Sequence, residues 1–374
     1  MALLFDPLPI RGITLSNRIV VSPMCEYSSQ DGFANDWHLV HIGSRAVGGA
    51  ALVFMEASAV TPEGRISPED LGIWKDAHIE FLSRIVRFVK NHGVVPGMQI
   101  AHAGRKGSTQ RPWEGASAVS IANGGWMPLA PSAVAYSDKY PMPEALSKEG
   151  IRRIVDAFGQ AARRAEEAGF LVLEIHAAHG YLAHEFFSPL SNFRNDEYGG
   201  SFENRTRIGR EIVSAVRKAW PENLPLFIRI SATDWKEGGW DLDQAVEFAK
   251  QVKGLGVDLV DCSSAGLVPD QQIVAGPGFQ VPFSERIRRD AGILTSTVGL
   301  IETKEQVADI LAKNQADLVF MAREFLREPY WPLRTARELN YKLSWPAQYL
   351  RAAPPDTPGR KPLDDVTVQR KAAD

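Results

Sequence analysis

The 374 residues suffice for one large domain or two ordinary ones, and 44% hydrophobic with 23% charged residues is the composition of a globular protein. A net charge of -3 and a pI near 6.3 give no electrostatic draw toward nucleic acid or an anionic membrane, so the expected partner is a small molecule. Two distant cysteines, Cys25 and Cys262, make no disulfide scaffold, and the first residues turn acidic too soon for a signal peptide. No apolar run nears the roughly 20 residues of a bilayer span, and the chain reads as cytoplasmic.

Residues 8–18 set Pro9, Gly12 and Asn17 between short apolar patches, the pattern of a small hairpin that caps something larger. Residues 19–22 form a short strand stopped by Pro23; a helix at 38–47 ends at Gly48-Gly49, and 51–56 is a second strand. Leu82, Ile85, Val86 and Val89 share one face of a helix over 77–92, and 94–100 is the third strand. Residues 103–146 carry Trp113, Trp126 and several prolines and exceed any simple connection, so they read as a lid or insertion. Ser147 caps a helix whose stripe Ile151, Ile154, Val155, Phe158, Ala162 and Ala165 ends at Gly169, where the apolar fourth strand opens. Four more units follow: helices at 202–219, 241–253, 283–290 and 302–313, with strands at 226–230, 257–262, 293–296 and 317–321. Eight such units, with no glycine fingerprint after an early strand, predict a closed (β/α)8 barrel. The barrel occupies residues 1–351 as one domain, and 352–374, rich in proline, charge and small side chains, reads as a flexible tail.

In such a barrel the chemistry sits in loops after the strand C-termini. The fourth strand delivers His176, His179, Gly180 and Tyr181 there. Two imidazoles three residues apart can meet at one small volume, and Gly180 permits a turn that carries the Tyr181 hydroxyl over it. That is a site for an oxygen atom and a proton. A metal site would need further ligands, and Glu174 lies a layer deeper on the same strand face. Cys25 and Tyr27 follow the first strand, Ala57 and Ser58 the second, and Gln99 and His102 close the third. Arg229 interrupts the apolar fifth strand; a buried guanidinium requires acceptors, and either Glu174 or a ligand would serve. Gly299, and Ala322-Arg323 before a short helix, follow the last two strands, where (β/α)8 barrels commonly hold phosphate. Flavin mononucleotide suits this layout, with Arg229 stabilising charge on the pyrimidine edge and the Gln99 amide matching the imide.

Five motifs in chain order, Pro23-Met24-Cys25-x-Tyr27, Glu56-Ala57-Ser58-Ala59-Val60, the run from Gln99 to Lys106, His176-Ala177-Ala178-His179-Gly180-Tyr181 and Asp196-Glu197-Tyr198-Gly199-Gly200-Ser201, resemble the Old Yellow Enzyme family. The cysteine at position 25 resembles its thermophile-type (class III) FMN-dependent ene-reductases, and the likeness spans about residues 1–352. It implies noncovalent FMN, reduced by NADPH or NADH, that passes a hydride from N5 to the β-carbon of an activated alkene. By the same resemblance His176 and His179 hold the substrate's carbonyl or nitro oxygen, Tyr181 protonates the α-carbon, Cys25 tunes the flavin and Tyr27 assists on the substrate side. Pro23, Met24, Cys25, Ala57, Gln99, Arg229, Ser264, Gly299, Ala322 and Arg323 match flavin-contacting positions, with Ala322 where glycine is usual. Val298 replaces a tryptophan of some relatives, which reshapes the substrate pocket. Residues 346–351 resemble a segment that reaches the neighbouring subunit's site, which makes Arg351 a residue shared across a dimer or tetramer.

Three other readings compete. An iron-sulfur flavin barrel of the dienoyl-CoA reductase type needs a cysteine cluster that this chain lacks. A phosphate-binding barrel lyase or isomerase without flavin leaves Gln99, Arg229 and Cys25 unexplained, and a flavin-binding sensor or storage protein has no use for a proton donor at Tyr181. Cys262, inside a strand, reads as a small buried hydrophobe.

Overall fold

In a computed structural model of the chain, which describes residues 2–360, eight parallel strands close into a barrel. An antiparallel hairpin of β1 (Leu8–Ile10) and β2 (Ile13–Leu15) precedes it. The barrel strands follow as β3 (Ile19–Val21), β4 (Leu52–Ala59) and β5 (Val95–Ala101). After a small parallel pair, β6 (Leu129–Ala130) and β7 (Glu144–Ala145), come β8 (Val172–Ala177), β9 (Leu226–Ser231), β10 (Leu259–Ser263), β11 (Leu294–Thr297) and β12 (Leu318–Met321). Each barrel strand pairs with its neighbours in chain order, and β12 returns to β3. Every residue of β4, β5, β8, β9 and β10 is buried, which is why these strands read as continuous apolar runs rather than alternating ones.

The outer ring consists of α1 (Asp36–Val47), α2 (Ile79–Asn91), α3 (Lys148–Ala168), α4 (Leu182–Phe187), α5 (Phe202–Arg205), α6 (Arg207–Ala219), α7 (Leu242–Gly254), α8 (Val281–Ala291), α9 (Lys304–Ala312), α10 (Arg323–Arg327) and α11 (Trp331–Glu338). Local chemistry sets their ends. The Ser147 side chain accepts from the Gly150 N–H at 3.0 Å, and α3 stops at Gly169 in the left-handed conformation (φ 91°). The helix expected over 202–219 divides at Thr206, whose hydroxyl donates to the Phe202 carbonyl at 2.7 Å while Ser201 caps the shorter piece. β4 runs on to Ala59, beyond its expected end, through an irregularity between Met55 and Ala57.

Inside the barrel the layers differ in polarity. At the N-terminal end Phe54 lies 5.6 Å from Phe320 and 6.2 Å from Phe227, and Leu8, Ile10 and Leu15 of the hairpin pack onto this apolar floor. The hairpin is the cap expected from its sequence. Above the floor come Gln99, Glu174, Arg229, Asp261 and Ser296, all buried. The polar layer therefore opens only toward the strand C-termini. The segment between β5 and α3 is the long insertion, with Trp113, Ile121 and Met142 exposed on it. Of the expected flexible tail, Ala353 and Thr357 are buried, and 361–374 lie outside the described residues. Among the described residues no helix is long and apolar enough to cross a membrane.

Leu15, with 0% of its surface exposed, seals the barrel floor. Leu15→Ala is expected to destabilise the fold by about 3 kcal/mol, through lost burial and the cavity left behind. A lowered urea midpoint with an unchanged m-value would show this, and an unmoved midpoint would mean that the hairpin contributes no seal.

Candidate active site

The loop leaving β8 is the most constrained stretch at the barrel mouth. His179 has a left-handed backbone (φ 59°), a conformation that L residues hold only under constraint, and three hydrogen bonds supply it. Its N–H donates to Ser231 Oγ at 2.9 Å, its carbonyl accepts from Lys106 Nζ at 2.9 Å, and the Gly180 N–H donates to His184 Nδ1 at 2.9 Å. His184 Nε2 in turn faces Asp234 Oδ1 at 2.9 Å, with both side chains fully buried. Gly180 is required because a Cβ there would lie 2.1 Å from the Gly266 carbonyl oxygen; in the facing loop, a Cβ on Gly266 would lie 2.6 Å from the His179 backbone. The loops after β8 and β10 thus touch backbone to backbone.

This packing brings the expected trio together. His176 Nε2 and His179 Nδ1 are 3.3 Å apart, and the Tyr181 ring stands edge-on to His176 at 4.9 Å. His176 Nδ1 accepts from the Ala178 N–H at 3.2 Å, so the neutral imidazole carries its proton on Nε2. His179 Nε2 meets Ser263 Oγ at 2.7 Å. When that hydroxyl donates, His179 holds its proton on Nδ1, and the two histidines present two N–H groups to one point. Burial, then neighbouring positive charge, pushes both imidazoles well below the ordinary histidine range, while burial pushes the Tyr181 phenol well above its own. At neutral pH the site therefore holds two neutral imidazoles and a protonated tyrosine.

Beneath them lies the polar layer. In register, Arg229 is flanked by His176 on one side and Asp261 on the other, and Gln99 stands beside Glu174. Arg229 Nε donates to Asp261 and its Nη2 to Ser22 Oγ at 2.9 Å, whereas Glu174 is 3.7 Å away. Asp261 is thus the main internal partner, ahead of Glu174. Its signal was present in the sequence, a carboxylate inside the apolar run Leu259-Val260-Asp261-Cys262. Burial, reinforced by the Asp261 charge, pushes the Glu174 carboxyl up to about 8, so it carries a proton at neutral pH. Cys262 is fully buried, as a small hydrophobe would be.

Loop 23–29 after β3 is held by a second network, buried at Glu56 and His38. Glu56 accepts from the Glu26 N–H at 2.9 Å and from His38 Nε2 at 3.0 Å, and Glu26 accepts from Trp37 Nε1 at 2.9 Å. These bonds present Cys25 and Tyr27; Tyr27 has a left-handed backbone (φ 47°), and its ring meets Trp113 edge-on at 5.8 Å. Burial raises the Cys25 thiol well above its ordinary range, so it stays a thiol.

The residues fit a flavin nucleotide. The Gln99 amide donates to Glu174 at 2.7 Å, which leaves its carbonyl oxygen without a donor among the described residues, and Arg229 Nη1 likewise has no acceptor there. At the far side Val298, Gly299, Ala322 and Arg323 line a small cavity, and Gly299 (φ 122°) has no room for a side chain, since a Cβ would lie 2.8 Å from Gln280 Nε2. Ser264 gives its hydroxyl proton to Gln280 Oε1 at 2.6 Å and accepts from Trp235 at 2.9 Å, so its side chain has no proton left to donate to a ligand, while its backbone remains available. Pro23, Met24 and Ala57 sit at the mouth, on the ends of β3 and β4. Arg351 is exposed on the turn of residues 347–352, which brings Tyr349 beside Tyr330 before α11. Among the described residues no His, Cys, Asp and Glu cluster could hold a metal.

The profile of the NADH:flavin oxidoreductase / NADH oxidase family matches residues 3–342. The chain belongs to this family. An NADPH dehydrogenase of Geobacillus thermodenitrificans is 49% identical over 93% of this chain and 98% of its own, and one of Bacillus cytotoxicus is 48% identical over 93% and 96%. Among solved structures, morphinone reductase superposes with a TM-score of 0.76 at 27% identity, covering 91% of this chain and 90% of that one. The Old Yellow Enzyme homologue of Zymomonas mobilis gives 0.71 at 27% identity, over 90% and 92%. The chain is an FMN-dependent oxidoreductase of the Old Yellow Enzyme type, with a reduced nicotinamide nucleotide as electron source.

The protonated Glu174 has a measurable consequence. A carboxyl whose folded-state pKa lies near 8 binds its proton more tightly folded than unfolded, so its stabilising contribution is present at low pH and lost as pH rises from the unfolded value toward 8. Glu174→Gln is expected to remove this component. The mutant's unfolding free energy should rise relative to the parent between pH 5 and pH 8, by at most about 1.4 kcal/mol per unit. A difference independent of pH would show that Glu174 is ionised.

Proposed function

We propose that this enzyme reduces the C=C bond of α,β-unsaturated carbonyl or nitro compounds, with hydride added at the β-carbon and a proton from Tyr181 at the α-carbon. The observation that carries this reading is the convergence of His176 Nε2 and His179 Nδ1, 3.3 Å apart, next to the Tyr181 ring. Bound FMN, reduced by NADPH or NADH, supplies the hydride from its N5.

The protein's part is electrostatic and positional. Two imidazole N–H groups on the substrate oxygen stabilise the enolate-like charge that grows there, and they do so best as fixed dipoles in a dry site. Ser263, when its hydroxyl donates to His179, holds the tautomer that this requires. Tyr181 stays protonated until the α-carbon becomes basic, because burial opposes its ionisation. Cys25 would tune the bound flavin, and Tyr27 would assist at the substrate side. Pro23, Met24, Ala57, Gln99, Arg229, the Ser264 backbone, Gly299, Ala322 and Arg323 hold the cofactor. Arg351, exposed on its own chain, reaches a neighbouring subunit of a dimer or tetramer in a cytoplasmic enzyme.

A visible spectrum of the holoenzyme, recorded with anaerobic NADPH and then with cyclohexenone, tests the cycle. Flavin bands that bleach and return support it, and bands that stay bleached would overturn it. Tyr181→Phe is expected to retain FMN and its reduction by NADPH while slowing reoxidation by cyclohexenone by about 10²–10⁴-fold, the usual worth of a positioned proton donor. Reoxidation as fast as in the parent would remove Tyr181 from the mechanism. His176→Ala should weaken phenol binding, since a phenolate oxygen imitates the enolate; unaltered phenol affinity would place that oxygen elsewhere.

A further inference from the structure

We infer that Lys106 is a positioning residue for this reaction: its ammonium ties the loops after β8 and β10 together beside Tyr181 and supplies the positive field in which the substrate oxygen becomes anionic. The inference rests on the reading of His176, His179 and Tyr181 given above.

Lys106 Nζ donates to the His179 carbonyl at 2.9 Å and to the Gly266 carbonyl at 3.0 Å. Those are the two residues whose backbones meet where no Cβ fits. The same ammonium lies 4.7 Å from the ring centre of Tyr136 and 5.3 Å from that of Tyr181, within reach of both π-faces. Its hydrogen-bond partners among the described residues are neutral carbonyls, and no carboxylate there lies within ion-pair distance of it. A desolvated cation without a counterion is unfavourable for folding alone. It becomes useful where negative charge develops during catalysis, on the oxygen between His176 and His179 and on the Tyr181 phenol as it gives up its proton.

The groups facing Lys106 agree with a largely uncompensated charge. From α4, Glu185 is buried, and burial pushes its carboxyl up to about 8, so at pH 7 it is largely protonated and offsets the Lys106 charge only in part. From the same turn, Arg105 adds positive charge. At the end of β8, His176 and His179 are kept from protonating in part by Lys106 itself. Tyr136 from the insertion and Tyr181 at the start of α4 present rings. Burial lowers the Lys106 amine to about 8, with Glu185 opposing this and Arg105 reinforcing it. Above that pH the neutral amine still donates to both carbonyls, so the tie persists while the field disappears. A pH profile therefore separates the two roles.

The test is stopped-flow reoxidation of NADPH-reduced holoenzyme by cyclohexenone between pH 6 and pH 10, for the parent, Lys106→Met and Lys106→Arg, with FMN content and the NADPH step as controls. The parent rate should fall in a limb near pH 8. Lys106→Met should be slower at pH 7 by at least ~10-fold, in the range of lost electrostatic contacts, and show no limb. Lys106→Arg, charged throughout, should recover part of the rate and also lack the limb; if the methionine variant sheds FMN, this comparison decides alone. A limb that persists in either variant belongs to Glu185 and overturns the inference, as does a methionine variant as fast as the parent. A parent that neither binds phenol nor turns over cyclohexenone would instead refute the underlying reading, so the two failures are distinguishable.

Discussion

The arrangement of this site depends on the register of three adjacent parallel strands. Because β8, β9 and β10 pair so that His176, Arg229 and Asp261 stand side by side, a guanidinium sits in the middle of the barrel with a carboxylate at one shoulder and the His176 imidazole at the other. Taking an arginine out of water is tolerable only when its N–H groups are met, and Asp261 and Ser22 meet two of its nitrogens. The remaining Nη1 has no protein acceptor among the described residues, which suits the edge of a bound flavin. A one-residue slip of any of these strands would turn the charges outward against the helices. The apolar floor and its hairpin plug make the polar layer open in one direction only.

Above that layer, geometry is enforced by the absence of side chains. Gly180 and Gly266 let two loop backbones approach to distances no Cβ allows, and the hydrogen bonds of His179 to Ser231 and Lys106 hold a backbone conformation it would not keep in isolation. The loop after β8 is thereby clamped from β9, from the turn after β5 and from the loop after β10. Rigid placement fixes the two imidazole nitrogens 3.3 Å apart ahead of any ligand.

The electrostatic pattern follows from burial. Desolvation disfavours whichever form is charged, so it keeps His176 and His179 neutral and Tyr181, Cys25 and Glu174 protonated. The result is a set of neutral hydrogen-bond donors above one buried arginine–aspartate pair. Such a division of labour suits a reaction in which negative charge appears only briefly.

The barrel was legible in the sequence because each buried parallel strand is an apolar run and helices such as α3 and α7 carry a 3.6-residue stripe that opens at a capping serine or aspartate. The histidines, Tyr181, Gln99 and Arg229 stood out as polar residues at strand ends or inside apolar runs, and Asp261 carried the same signal. Sequence by itself determined the eightfold alternation and the residue types available at the barrel mouth. Tertiary structure alone decided which groups pair: that Arg229 bonds to Asp261 ahead of Glu174, that Ser263 rather than Ser264 faces His179, and that Lys106 spans two loops. The physical reason is range. Periodicity and capping are local, whereas partners 32, 84 or 160 residues apart meet only once strand register and loop contacts are fixed.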